Sequence, residues 1–310
     1  MIRKFKDSDF NNVVNYIYLR NKHSKTKIGY VGDVKSEIEK TLKQDFSDLS
    51  LNESIFILTE KEEIKVLFAL DVDKENRSIE VWGPYYNDET SLEEMDKVWR
   101  YILDSNFNGY KFLFFINTEN KIAIDFVDHY LKCNKQGEHV DLVYKLNEKL
   151  EKHESIKNVK VVEKEYSENI VTIHNNLFKG SYYNGENLFS NLKKEEVKLD
   201  ILEHDFLGEI GYLYCEKSDE DQEIYVDYIG IDLKYQGRHY SEELMYHLLK
   251  SIDINKYKYI RTCVDSSNNR ALNMFEKFNF EIEYTNLLYT IKIWSYFWEY
   301  VFKLYSSWDT

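Results

Sequence analysis

One proline, eleven glycines and three cysteines are all that this 310-residue chain has of the residues that usually punctuate or cross-link a fold. So little Pro and Gly excludes collagen-like sequence and long low-complexity linkers. Cys133, Cys215 and Cys263 are odd in number and form no C-x-x-C pair. That excludes a disulfide framework and predicts buried, reduced thiols in a cytoplasmic protein. No apolar run reaches the roughly 18 residues that a membrane-spanning helix needs, and the start, MIRKFKDSDF, has no signal-peptide core, so no membrane partner is expected. Basic runs are missing too. With 41 Lys+Arg against 55 Asp+Glu and a net charge of −14, the chain lacks the cationic surface that phosphate neutralisation requires, which excludes a nucleic-acid partner. His174, His204, His239 and His247 show no metal-ligand spacing, and neither a P-loop, G-x-G-x-x-G nor G-x-S-x-G occurs, so no metal is expected.

What remains is an ordinary globular composition, 43% hydrophobic and 31% charged, long enough for two domains. A repeat supports that division. IKVLFALDVDKENRSIEVWGPYY, a helical segment and KFLFFINTENKIAIDFVDHYL in the first half are answered by GEIGYLYCEKSDEDQEIYVDYIGIDLKYQG, a helix and KYIRTCVDSSNNRALNMFEKFNF in the second. Gly83 to Asn120 spans 37 residues and Gly230 to Asn268 spans 38. Residues 148–158 are charged and nearly devoid of apolar side chains, as a linker would be, which predicts domains at 1–150 and 159–310.

In the second half, periodicity predicts a strand at Val159–Val162, helical segments between Ser167 and Lys194, hairpin strands at Glu209–Cys215 and Glu223–Ile231, and a helix at Ser241–Lys250. A strand at Tyr259–Val264 and a helix at Asn269–Phe278 follow. From Ile291 to Trp308, apolar residues at steps of three and four predict a docked amphipathic helix.

IGIDLKYQGRHYSEELMYHLL reads as a strand, a turn and a helix start, an arrangement whose free N–H groups and positive helix end suit a pyrophosphate. It resembles the acyl-coenzyme A loop of the GCN5-related N-acetyltransferases, Gln/Arg-x-x-Gly-x-Gly/Ala after a strand. Gln236 stands at the first position and Ile231 at the strand valine, while His239 replaces a glycine and Ser241 a Gly or Ala. Asn268-x-x-Ala271-x-x-Met274-Phe275-x-x-x-Asn279-Phe280, placed 32 residues after Gln236, resembles the same family's N-x-x-A-x-x-L-Y-x-x-x-G-F.

The resemblance implies two tandem α/β domains, each a mixed, largely antiparallel sheet flanked by helices. It implies acetyl-CoA as co-substrate, held by Ile229, Ile231, Leu233, Gln236, Gly237, Arg238, His239, Tyr240, Ser241, Asn268 and Phe275, with Asn268 on the pantetheine arm. The family's tyrosine acid is Phe275 here, which donates no proton. Tyr240, Tyr284, Tyr289 or the amine's own proton would have to serve, or the domain does not catalyse. A general base is expected on the preceding strand, where alternation puts Glu223, Tyr225 and Asp227 on one face. Asp227 is the first choice and Glu223 the second, against the plainer reading of solvated strand carboxylates.

The first half has no such loop and is expected to be degenerate, with Trp82, Tyr85 and Tyr86 either lining an acceptor pocket or packing a core. The implied reaction is acetyl transfer to an amine, small-molecule or peptide, by a monomer or homodimer. The alternative is a catalytically inactive acyl-CoA-binding or protein-interaction module.

Overall fold

The computed structural model describes residues 1–44, 46–105, 107–146 and 156–293. Its elements in chain order are β1 (Ile2–Lys4), α1 (Phe10–Asn21), α2 (Lys35–Gln44), α3 (Leu51–Ser54), β2 (Ile55–Glu60), β3 (Glu63–Asp73), β4 (Ser78–Tyr86), α4 (Leu92–Leu103), β5 (Lys111–Asn117), α5 (Lys121–Asp125) and β6 (Asn134–Lys145). There follow β7 (Val159–Val162), α6 (Glu168–Leu177), α7 (Gly185–Ser190), β8 (Val197–His204), β9 (Gly208–Ser218), β10 (Glu223–Ile231), α8 (Tyr240–Ser251), β11 (Tyr259–Asp265), α9 (Asn269–Lys277) and β12 (Glu281–Lys292). Contacts divide the chain into two compact units. Unit 1 is Met1–Val140 with the residues from Tyr284 onward, and unit 2 is Asp141–Glu283, so the limits fall inside β6 and β12.

Unit 1 orders its strands β1-β2-β3-β4-β5-β12. Every neighbouring pair is antiparallel except β4 and β5. The β-branched and aromatic runs of β3 and β5 are buried, and α4 lays Met95, Val98, Trp99 and Ile102 on them. Trp99 is the hub, with ring centroids 5.0 Å from Phe112 and 5.5 Å from Phe114. Tyr85 and Tyr86 are buried, and Trp82 meets Phe46 edge-on at 4.8 Å, so the aromatics of the first half pack its core.

One cross-strand pair in this sheet is electrostatically frustrated. Asp71 stands directly opposite Glu80 on the β3/β4 ladder. Burial first, and the charge of Glu80 second, push Asp71 up to about 7, while burial raises Glu80 to about 7. Folded-state values above the ordinary carboxylate range mean that the folded unit binds more protons than the unfolded one between about pH 4 and 7. This pair's contribution to stability is therefore full below about pH 4, falls as pH rises to about 7, and stays low above it. Asp71→Asn is expected to stabilise unit 1 at pH 8 by about 2 kcal/mol and to flatten that dependence. Asp141–Glu283 contains no tryptophan, and Trp82 and Trp99, the tryptophans among the described residues, both lie in unit 1, so urea unfolding followed by their emission reads unit 1. No gain at pH 8 would show that the two carboxylates do not compete.

Unit 2 orders β7-β8-β9-β10-β11 and then the Asp141–Lys145 stretch of β6, antiparallel from β7 to β10 and parallel between β10 and β11. Ile170, Ile173 and His174 of α6 and Leu188 of α7 cover the face that carries Leu199, Ile201, Tyr212 and Tyr214. Helix α8 buries Leu244, Met245, Leu248 and Leu249 and packs on β8, β9 and β10.

The two units repeat one pattern. Glu223, Ile224 and Tyr225 pair in parallel with Tyr259, Ile260 and Arg261, as Ser78, Ile79 and Glu80 pair with Lys111, Phe112 and Leu113. Nine residues beyond the first partner of each pairing stands Asn268 or Asn120, each the N-cap of a helix, with its side chain accepting the N–H of the alanine three residues on. Aligned on these pairs, Gly83 corresponds to Tyr228 rather than Gly230. The glycine match drawn from spacing is thus two residues out of register, while the asparagine match holds.

The sequence reading named no strand at β1, β2, β6, β8 or β12. VKLDILEH, with its buried Lys-paired Asp200, forms β8, and β12 runs through Ile291 and Lys292. The expected amphipathic helix therefore does not begin at Ile291. Ile293 is buried against unit 1, and the rest of that segment lies outside the described residues.

Candidate active site

Parallel strands β10 and β11 stay paired for three residues and then part. Thr262 Oγ1 donates to the Val226 carbonyl at 2.9 Å, which closes the corner of the wedge. Beyond it β10 runs on to Ile231 with only β9 as a ladder partner among the described residues. The wedge thus exposes one backbone edge of Tyr228–Ile231 to a ligand. Ile229 is half-buried at this edge, and Ile231 is buried at its end.

Asp227 sits where the wedge opens. The β9/β10 register slips between Val226 and Tyr228, so Asp227 is the extra residue of a β-bulge, a device that re-aims a side chain. Its carboxyl is mostly buried, and Oδ2 has no hydrogen-bond partner among the described residues. Burial, and secondarily the charge of Glu216, push it up to about 8. Glu223, the second-choice base, lies at the closed end of the wedge, where Arg261 Nε binds it at 2.7 Å.

Glu216, Tyr214 and Tyr228 surround this bulge, and sequence reading did not select them. Glu216 pairs with Tyr225 and Tyr214 with Tyr228 across the ladder, so all four share the face of α6 and α7. Glu216 Oε1 accepts from the hydroxyls of Tyr183 and Tyr214, each at 3.4 Å. Tyr183 is held from behind by His174. A carbonyl only accepts, so His174 Nε2–H donates to Tyr183 O at 2.8 Å, and Nδ1 accepts from the Tyr212 hydroxyl at 2.5 Å. Burial lowers the His174 pKa and keeps that tautomer neutral. The Y-L-Y-C-E alternation in β9 was a readable signal for the face, but its meeting with Asp227 depends on ladder register.

At the wide end of the wedge, Leu233 is exposed in a 3-10 turn over Leu233–Tyr235. Gln236 turns back, its Nε2 donating to Ile231 O at 3.0 Å while its Oε1 accepts from Arg270 of α9 at 2.8 Å. Gly237 has φ +76°, and a Cβ placed there would meet nothing within 4 Å, so the backbone faces open space. Arg238 is exposed, its guanidinium 5.8 Å from the Tyr235 ring centroid.

His239 adopts φ +64°, keeping the left-handed conformation expected of glycine, at a strain of about 1 kcal/mol. Its ring points to Glu242 (Nδ1 to Oε1, 2.8 Å), and Lys277 holds the same oxygen at 2.7 Å. No side chain caps α8, so the first-turn N–H groups around Tyr240 and Ser241 keep no intrahelical acceptor. Tyr240 itself is buried.

Helix α9 presents Asn268 at its exposed start, while Phe275 is buried 5.0 Å from the Phe280 ring. Asn279 takes φ +59° beyond the helix end, and Phe280 N–H reaches back to Phe275 O at 3.1 Å, a C-cap that asparagine tolerates. Of the tyrosines considered as acids, Tyr284 and Tyr289 belong to unit 1, where the Tyr289 hydroxyl donates to Asp128 at 3.1 Å.

The same wedge in unit 1 is plugged by its own chain. Ile28 bridges Ile116, and Gly29 N donates to Phe115 O at 2.6 Å, along the β5 edge that β4 has left. A Cβ on Gly29 would lie 2.4 Å from Phe115 Cδ1. Asn120, the counterpart of exposed Asn268, is buried, accepting from Tyr86 OH at 2.5 Å and donating to Lys27 O at 3.3 Å. Helix α4, the counterpart of α8, is closed by a Ser91/Glu94 capping box.

Residues 191–280 match the acetyltransferase (GNAT) family. No curated protein matches the chain. Among solved structures, the fold is similar to a GCN5-related N-acetyltransferase from Sphaerobacter thermophilus (TM-score 0.72, 10% identity, covering 94% of this chain and 95% of that one). It is also similar to a tandem GNAT protein from the clavulanic acid biosynthesis pathway (TM-score 0.68, 9% identity, 94% and 98% covered). A third is a GNAT-family acetyltransferase from Colwellia psychrerythraea (TM-score 0.54, 11% identity, 94% and 100% covered). At these identities the likeness establishes the fold.

Proposed function

We propose that this chain, a tandem-fold protein whose C-terminal half belongs to the GNAT acetyltransferase family, transfers an acetyl group from acetyl-CoA to an amine in unit 2. The observation that carries this reading is the contrast between the two wedges. One is open, with a bulge carboxyl at its mouth whose Oδ2 has no partner among the described residues and a helix without a side-chain cap at its wide end, and the other is filled. We retain residues 1–150 and 159–310 as the duplicated sequence units, and a cytoplasmic monomer or homodimer as the working form.

Acetyl-CoA would lie along Tyr228–Ile231, its pyrophosphate at the N–H groups of Gly237–Ser241, with Arg238 as a nearby cation and Asn268 on the pantetheine side. The acceptor arrives as an ammonium and gives one proton to the Asp227 carboxylate. The amine lone pair attacks the thioester carbonyl, and the C–N bond forms as a strand N–H holds the oxyanion. The C–S bond then breaks. The nitrogen's second proton goes to the departing thiolate, a route that needs no tyrosine at the position of Phe275. The products are an amide, free coenzyme A and one proton on Asp227.

Thiol release from acetyl-CoA over a panel of amines tests the reading. Turnover with any amine supports it. Coenzyme A binding without turnover would leave the inactive binding module, the alternative that buried Phe275 favours, and absence of both would overturn the assignment.

His239→Gly is expected to leave coenzyme A affinity unchanged or tighter, because the loop already has the backbone shape that glycine prefers. Weaker binding in calorimetry would show that the imidazole itself touches the ligand.

A further inference from the structure

We infer that Glu216 selects the acceptor, restricting it to aliphatic amines that arrive as cations and carry no carboxylate close to the nitrogen. The inference rests on the acyl-transfer reading for the reaction but not for the recognition, which is a property of the bulge face alone.

Two carboxyls, Glu216 and Asp227, share this face, and neither forms an ion pair with a lysine or arginine among the described residues. Beside them stand tyrosines, with Val197 opposite Glu216 on β8 and, on β11 opposite Tyr225, Arg261, which is already bound to Glu223. The rings of Tyr183, Tyr214 and Tyr228 lie 6.0, 6.1 and 6.5 Å apart, and two of their hydroxyls fix Glu216 Oε1. Tyr225 adds a fourth ring on the same strand face, and buried Cys215 is a nearby thiol on the strand opposite.

Such a wall attracts an ammonium through ring quadrupoles and carboxylate charge together. It repels a second carboxylate for the same reason. Free α-amino acids and short ω-amino acids are thereby excluded, while simple alkylamines and diamines fit. The two acids then divide the work. Glu216, held in place by hydroxyl donors, keeps the cation, and Asp227, whose Oδ2 has no partner among the described residues, takes its proton.

Three probes of one chain length test this on the full chain: butylamine, 1,4-diaminobutane and 4-aminobutanoate. Calorimetry is expected to show binding of the two cationic amines and at least 10-fold weaker binding of 4-aminobutanoate. Glu216→Gln preserves a carbonyl acceptor for both tyrosine hydroxyls. It is expected to weaken the cationic amines at least 10-fold, with acetyl-CoA affinity and thermal midpoint unchanged.

Where turnover is measurable, the rising limb of kcat/KM against pH should move to lower pH in Glu216→Gln, since a negative neighbour of Asp227 is gone. Equal binding of 4-aminobutanoate, an unaltered amine affinity in Glu216→Gln, or an unmoved limb would each overturn the inference. Failure of acetyl-CoA turnover with every amine counts against the acyl-transfer reading instead, and the calorimetry still decides the cation preference.

Discussion

Asp227→Asn is expected to lower kcat/KM by about 10²- to 10⁴-fold, the usual effect of removing a positioned base. Acetyl-CoA affinity should stay within about twofold, because the loop from Gln236 to Ser241 and the strand edge are untouched. In the wild type, kcat/KM should rise with pH through about 8, the value to which burial and Glu216 bring this carboxyl. The sign follows from the role. A base works only when deprotonated, and a raised pKa moves its working range upward. That limb should vanish in Asp227→Asn. A variant that keeps both rate and limb would remove Asp227 from the mechanism. Glu223→Gln is the matched control. Its carboxylate is bound to Arg261 at the closed end of the wedge, so the substitution should change the rate little.

The second large effect falls on stability. Asn21→Ala is expected to cost unit 1 about 3 kcal/mol or more, since one buried amide there satisfies four groups. Its Oδ1 accepts from Ile28 N at 2.8 Å and from Tyr85 OH at 3.1 Å, while Nδ2 donates to Gly32 O at 3.0 Å and to Val31 O. Those partners belong to the segment that fills the unit 1 wedge and to β4 beside it. Removing the amide leaves them desolvated without replacement bonds. Tryptophan-monitored urea unfolding should show a lower midpoint for unit 1. A shift below about 0.5 kcal/mol would mean that the plug is not held by Asn21. Gly29→Val should act in the same direction by overpacking against Phe115, at a cost of about 1–3 kcal/mol.

Hydrophobic period and element length are local properties, so the repeated order of strands, helix, strand and asparagine was legible in the sequence. β10 is Glu223–Ile231 as alternation predicted, α8 buries Leu244, Met245, Leu248 and Leu249, and α9 buries Met274 and Phe275 while Ala271 stays half-buried. The strand-turn-helix loop was legible as well, since Gly237 and the polar helix start are written in adjacent residues. The absence of any such loop in the first half was equally legible.

Which residues meet depends on the register between distant strands. Period-two counting placed Glu223 and Asp227 on one face, with Asp227 preferred, but it was the bulge that turned Asp227 into the wedge while β11 brought Arg261 onto Glu223. Register also gave Asp227 its acidic neighbour, because Glu216 reaches it from another strand and not through sequence proximity. The closure of the first wedge was beyond local reading for the same reason. Residues 24–31 carry no motif. They fill the gap because Asn21 and the free edge of β5 supply hydrogen-bond partners that exist only once the sheet has formed.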